Sequence, residues 1–183
     1  VKYLPQMPGD GARKYLFVAI DRATRWVHFE IHPHKSAECA TAFLRGVRER
    51  MPFAIKKVLT DNGREFTDRF TTAGEREPTG EHPFDRECAS TRIEHRLIKP
   101  FTPQTNGMVE RFNGRIADII KTERFASGRE MAETFERYLN VYHFHLAQRA
   151  LKHQTPYETM IQWHQSHPHL FSRNPTTLPG PDR

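Results

Sequence analysis

Two short apolar runs near the start of the chain carry its clearest pattern. Residues 15–20 (YLFVAI) are apolar and rich in strand formers, and residues 26–31 (WVHFEI) alternate apolar with polar. Only Asp21-Arg22-Ala23-Thr24-Arg25 lies between them, so the runs predict an antiparallel hairpin. Residues 1–4 read as the end of a further strand, and 5–14 as the loop leading into the hairpin. Ser36 can cap a helix that starts at Ala37, with Glu38 favourable in its first turn. Ala40, Phe43, Leu44, Val47 and Met51 then follow at helical spacing, and Pro52 marks the end.

The pattern changes after that helix. Residues 55–60 (IKKVLT) predict a short strand, with Asp61-Asn62-Gly63 at its carboxyl end. Residues 71–83 are polar, hold Gly74, Pro78, Gly80 and Pro83, and read as an extended loop. Residues 84–90 suit a helical turn, 93–97 a short strand, and 99–106 a loop containing proline. A helix is expected over 107–124 and a longer one over 129–151. The second carries Met131, Phe135, Tyr138, Leu139, Tyr142 and Leu146 on one face. A last short helix is expected over 156–164. From Pro168 onward the chain has Pro175, Pro179 and Pro181 and no apolar period, and reads as a loosely held tail. The expected organisation is one domain over 1–163 and a tail over 164–183. The order of elements is mixed α/β, one sheet flanked by helices.

Composition narrows the class. The chain has 183 residues, 28 Lys+Arg against 22 Asp+Glu, a net charge of +6 and a pI near 9.5. That excess is modest, and by itself it only leaves a polyanionic partner open. Hydrophobic residues make up 37% and the mean hydropathy is −0.74. No run approaches the ~18 apolar residues of a membrane span. The opening Val1-Lys2-Tyr3-Leu4-Pro5 has no signal-peptide pattern. Two cysteines, Cys39 and Cys88, cannot form a disulfide framework, which favours a reducing compartment. His32, His34 and Cys39 lack the paired spacing of a structural zinc site, as do His82, Cys88 and His95. Trp26 and Trp163 read as packing groups.

Two carboxylates stand out by position. Asp61 directly follows a strand, and ligand sites of open α/β sheets gather beyond the carboxyl ends of strands. Glu110 lies in the first turn of the helix from residue 107. There Met108, Val109, Phe112, Ile116, Ile119 and Ile120 form the apolar stripe. Glu110 falls opposite, along a face with Asn113, Ala117 and Lys121. Taken alone, Asp61 is as well explained as a turn cap, and Glu110 as a partner of the helix dipole.

The flanking words say more. Thr60-Asp61-Asn62-Gly63-Arg64-Glu65-Phe66 is one. The other runs Lys99-Pro100-Phe101-Thr102-Pro103-Gln104-Thr105-Asn106-Gly107-Met108-Val109-Glu110-Arg111-Phe112-Asn113. Together they resemble the catalytic core of DDE integrases and transposases, above all bacterial insertion-sequence transposases related to retroviral integrase. The resemblance runs from about residue 1 to 160. It implies a ribonuclease H-like α/β fold with a five-stranded mixed sheet flanked by helices. Asp61 matches the second member of the family's acidic triad and Glu110 the third; the stretch between them is longer than in compact members because of residues 71–83. Related sequences carry the first Asp just ahead of a Val-Lys-Tyr-Leu-like word. The resemblance therefore puts it immediately before Val1, and neither Asp10 nor Asp21 matches that position. The expectation is a chain cut just inside its first strand, catalytically inactive as it stands.

The resemblance implies Mg²⁺ (or Mn²⁺), two ions about 3.5–4 Å apart in a complete site, acting in phosphodiester cleavage and strand transfer during DNA transposition. It also implies DNA as partner, a homo-oligomer, and a cytoplasmic, bacterial, nucleoid-associated setting without a membrane. Lys99, Gln104, Thr105, Asn106, Arg111, Asn113, Arg115 and Lys121 are the expected DNA-binding residues. For Arg111, Arg115 and Lys121 a solvated helix face is the competing reading, and for Asn106 an N-cap. Two further functions stay open: a ribonuclease H-like metal-dependent nuclease, and a non-catalytic DNA-binding remnant of a transposase.

Overall fold

A computed structural model of the chain describes residues 1–7, 9–99, 107–178 and 180. The hairpin forms as its pattern requires. Strand β2 (Tyr15–Ile20) pairs antiparallel with β3 (Val27–His32), Leu16 opposite Ile31 and Val18 opposite Phe29. Asp21 closes the turn, its Oδ2 accepting the Thr24 N–H at 2.7 Å and the Thr24 hydroxyl at 2.8 Å. Strand β1 (Lys2–Tyr3) adds to the outer edge of β2, giving the order β1-β2-β3.

Alternation along β2 and β3 builds two cores, because successive side chains point to opposite faces. Leu16, Val27 and Phe29 join Leu4, Phe112, Ile116, Met131 and Phe135 on one face. Phe17 packs with Phe43, Leu44, Phe66, Phe84 and Met160 on the other. Helices α3 (Gly107–Thr122) and α4 (Gly128–Phe144) therefore cover the first face. Helices α1 (Ala37–Arg50), α2 (Pro83–Ser90) and α5 (Pro156–Ser166) gather around the second. Ser36 caps α1 as expected, its side chain accepting the Cys39 N–H at 3.3 Å.

The expected single five-stranded sheet is corrected. Among the described residues β4 (Lys57–Thr60) and β7 (Glu94–Leu97) form a separate parallel pair. β1 is two residues long and pairs only with β2, so no ladder joins the pair to the hairpin sheet. The polar stretch after Asp61 is also more ordered than an open loop. It holds a small hairpin, β5 (Phe70–Thr71) with β6 (Gly74–Glu75). Asp68 ties its base, accepting from the Thr79 hydroxyl, the Thr79 N–H and Arg76. The Thr79 hydroxyl above all, then its N–H and Arg76, hold the Asp68 carboxyl down to about 2.

Two further expectations change. The helix foreseen over 129–151 stops at Phe144, and Arg149–Leu151 form a separate 3₁₀ turn. The stretch after residue 164 is not loose up to residue 178. α5 runs through Ser166, Phe171 and Leu178 pack on the core, and Phe171 bridges Phe53. The Arg173 guanidinium donates to the carbonyls of Glu49, Arg50 and Met51 at 2.7, 2.9 and 3.3 Å, closing the open end of α1.

Candidate functional site

Asp61 sits where β4 ends. The two parallel strands stop together, Thr60 opposite Leu97, and the Ile98 N–H donates to the Thr60 carbonyl at 2.9 Å. Asn62 then spans the gap, its Nδ2 donating to the Ile98 carbonyl at 2.8 Å. A parallel pair thus delivers Asp61 and Lys99 to neighbouring strand ends, the usual location of ligand sites in α/β sheets. One oxygen of Asp61 is committed, Oδ1 accepting the Gly63 N–H at 3.0 Å. The other accepts no hydrogen bond among the described residues, and the side chain is half-buried.

The turn beneath Asp61 is packed tightly. A Cβ on Gly63 would meet the Glu65 carboxylate at 2.6 Å, so any larger residue there requires the Glu65 side chain to shift. Glu65 is 2% exposed and pairs with Lys35 at 3.4 Å. Behind β4 a chain of hydrogen bonds locks three elements together. Thr60 Oγ1 meets His95 Nε2 at 2.8 Å, and His95 Nδ1 meets Asp85 Oδ1 of α2 at 2.5 Å. These groups hold the strand end that presents Asp61. Cys88 beside them is buried, and burial first, then Asp85 and Glu87, push its thiol up to about 12.

Glu110 stands in the first turn of α3, exposed, on the face opposite Phe112 and Ile116, as the helical wheel requires. It makes no hydrogen bond or ion pair with any described residue. Lys121 is exposed in the last turn of α3, and Lys99 is exposed just after β7. Asn113 is half-buried, and its Oδ1 has no hydrogen-bond partner among the described residues. Gln104, Thr105 and Asn106 lie outside the described residues. Arg111 and Arg115 go elsewhere: they turn from the Glu110 face to line a cavity with Arg25, Gln148 and Arg149. Arg25, the Arg111/Arg115 pair and the Gln148-Arg149 pair come from three separate parts of the sequence, so no local pattern marks Arg25, Gln148 and Arg149 as neighbours of α3.

Among the described residues no group of three or more His, Cys, Asp and Glu is placed to hold a metal ion. Asp61 and Glu110 are two. Their donors are oxygen only and largely unpartnered, which suits a hard cation such as Mg²⁺ or Mn²⁺ and not zinc.

Comparison with known proteins gives a consistent picture. Two models of the integrase core domain match the chain, one over residues 3–103 and one over residues 91–156. The retrovirus-related Pol polyprotein from transposon TNT 1-94 of Nicotiana tabacum is 29% identical over 114 residues, 61% of this chain and 8% of the polyprotein. The putative integrase ORF3 of Spiroplasma virus SpV1-C74 is 20% identical over 160 residues, 85% of this chain and 44% of that protein. The chain therefore spans less than half the length of either relative. The crystal structure of the catalytic core domain of BIV integrase superposes with a TM-score of 0.58 at 19% identity, covering 84% of this chain and 90% of that one. That likeness supports the ribonuclease H-like α/β architecture.

Proposed function

The chain belongs to the integrase core domain family, and on that premise we propose that it is the catalytic core of a DNA transposase, with Asp61 and Glu110 as two of three carboxylates that hold divalent cations. What supports this reading is an oxygen of Asp61 at the carboxyl end of a parallel strand pair, and an exposed Glu110 at the start of α3, neither of them partnered among the described residues. Divalent cations, when bound, supply charge stabilisation and an activated oxygen for in-line displacement at phosphorus. The chain's own groups orient that chemistry. Asn62 and the Gly63 turn fix the Asp61 carboxylate, and the Thr60–His95–Asp85 chain keeps β4 and β7 level. In this reading Lys99, at the neighbouring strand end, and Lys121, at the far end of α3, meet DNA phosphates, with no dependence on base sequence. Oligomeric assembly on two DNA ends belongs to the same proposal.

These 183 residues supply two of the three family carboxylates. The expected outcome is that they do no strand transfer, and that an Asp placed directly before Val1 restores Mg²⁺- or Mn²⁺-dependent cleavage and joining of paired-end DNA. Asp61→Asn or Glu110→Gln should cut the restored activity by about 10²–10³-fold, the scale of electrostatic catalysis lost with one group. Gel assays that follow cleavage and joining separately check this. Strand transfer by residues 1–183 alone would refute it. Cleavage without joining would favour the nuclease reading.

A further inference from the structure

A cavity of about 550 Å³ lies between the first half of α3, the end of α4, the β2–β3 turn and residues 147–150. Among the described residues four arginines line it, Arg25, Arg111, Arg115 and Arg149, and no acidic side chain does. None of the four forms an ion pair with a described residue, and residues 100–106 contain no carboxylate. Arg25 Nη1 is buried in the protein and donates to no acceptor among the described residues. A buried donor without an acceptor is rare and costly, and guanidiniums that line one cavity without counter-charge repel one another. Such a set matches the oxygens of a phosphate, which takes several charge-assisted hydrogen bonds and pairs with arginine forks. Tyr142 completes the floor. Its phenol is raised by burial, and Gln148, Arg25 and Arg115 oppose that rise.

We propose that this cavity is a phosphate-binding site that grips a DNA phosphodiester away from the Asp61 and Glu110 carboxylates. Arg111 and Arg115 lie about 100–140° around α3 from Glu110, at about 100° per residue, so one helix presents its carboxylate and its arginines to different parts of a bound strand. The choice of DNA as source of the phosphate rests on the proposed function; the anion site does not.

The test uses the whole chain in EDTA, so metal chemistry plays no part. Two cavity variants, Arg25→Asn/Arg149→Gln and Arg111→Gln/Arg115→Gln, are compared with Arg13→Gln/Lys56→Gln, which removes the same charge from exposed positions. Asparagine suits position 25 because Arg25 has φ 61°. Pyrophosphate should raise the melting temperature of the unaltered chain and of the control but not of the cavity variants. Without anion, the cavity variants should melt at or above the unaltered chain. In fluorescence anisotropy with a labelled 20-bp duplex, each cavity variant should bind about tenfold more weakly, with a salt slope smaller by about one, while the control changes little. Equal losses in cavity variants and control overturn the proposal. So does a pyrophosphate response lost together with unchanged duplex binding, which would mark a site for small phosphoanions. Lower anion-free melting with the pyrophosphate response intact would mark the arginines as packing groups and also overturn it. An unaltered chain that binds no duplex sinks this proposal and the DNA reading together, whereas duplex binding without strand transfer leaves this one standing.

Discussion

His143 reaches from the last turn of α4 to the backbone of β3, where its Nε2 accepts the Val27 N–H at 3.0 Å. Its ring stacks on Trp26 with centroids 3.6 Å apart, so Trp26 is a packing group, as its place in the alternating run suggests. Burial pushes the His143 pKa down to about 3. The unfolded chain takes up a proton below about 6.5 while the folded one does not until about 3, so stability must fall as pH falls through that window. Burial also lowers the pKa of His28 against the pull of Glu30, and adds in the same direction. The slope expected from His143 is up to about 1.4 kcal/mol per pH unit. His143→Phe should remove that slope and cost about 1–3 kcal/mol at neutral pH, through the orphaned Val27 N–H. Urea unfolding between pH 7 and pH 4 reads both effects. An unchanged slope in the variant would show that His143 does not carry it.

Among the elements, α5 has the fullest local signature. Thr155 accepts the Glu158 N–H at 3.2 Å, Glu158 Oε2 accepts the Thr155 N–H at 2.8 Å, and Pro156 opens the helix. Thr155→Ala should therefore destabilise the chain by about 0.5–2 kcal/mol, measured as a lower denaturant midpoint with unchanged slope. The hairpin and α1 were equally legible, since alternation in residues 26–31 and Ser36 ahead of an apolar stripe are local signals. The overlong helix shows where such signals mislead. Leu146 continues the stripe, but the chain turns away at His145. Gln148 then bridges Gln154, while Lys152 and His153 take positive φ of 55° and 64°. Nothing in spacing marks those turns. Arg173 is similar: its acceptors lie more than 120 residues earlier, so its role in ordering the last stretch is visible only in three dimensions.

On the scale of the whole molecule, the three-stranded sheet separates two cores, and the parallel pair beside it carries the strand end on which Asp61 sits. Sequence words single out Asp61 and Glu110 as the proposed cation ligands because the family motif is local around each. They did not reveal the Thr60–His95–Asp85 chain or the arginine cavity, whose members come from separate elements. The five-stranded sheet failed for a related reason, since pairing between distant edges depends on strand length, and β1 has only two residues. The central claim is that Asp61 and Glu110 serve one cation pocket, and a double-mutant cycle on Mn²⁺ affinity tests it most directly. Mn²⁺ binding to the chain with an Asp before Val1 is measured by electron paramagnetic resonance for the parent, Asp61→Asn, Glu110→Gln and the double variant. Each single substitution should weaken binding at least tenfold, and the second should add little once the first is present. Losses that simply add, or a substitution that leaves affinity unchanged, would mean that the two carboxylates do not share an ion.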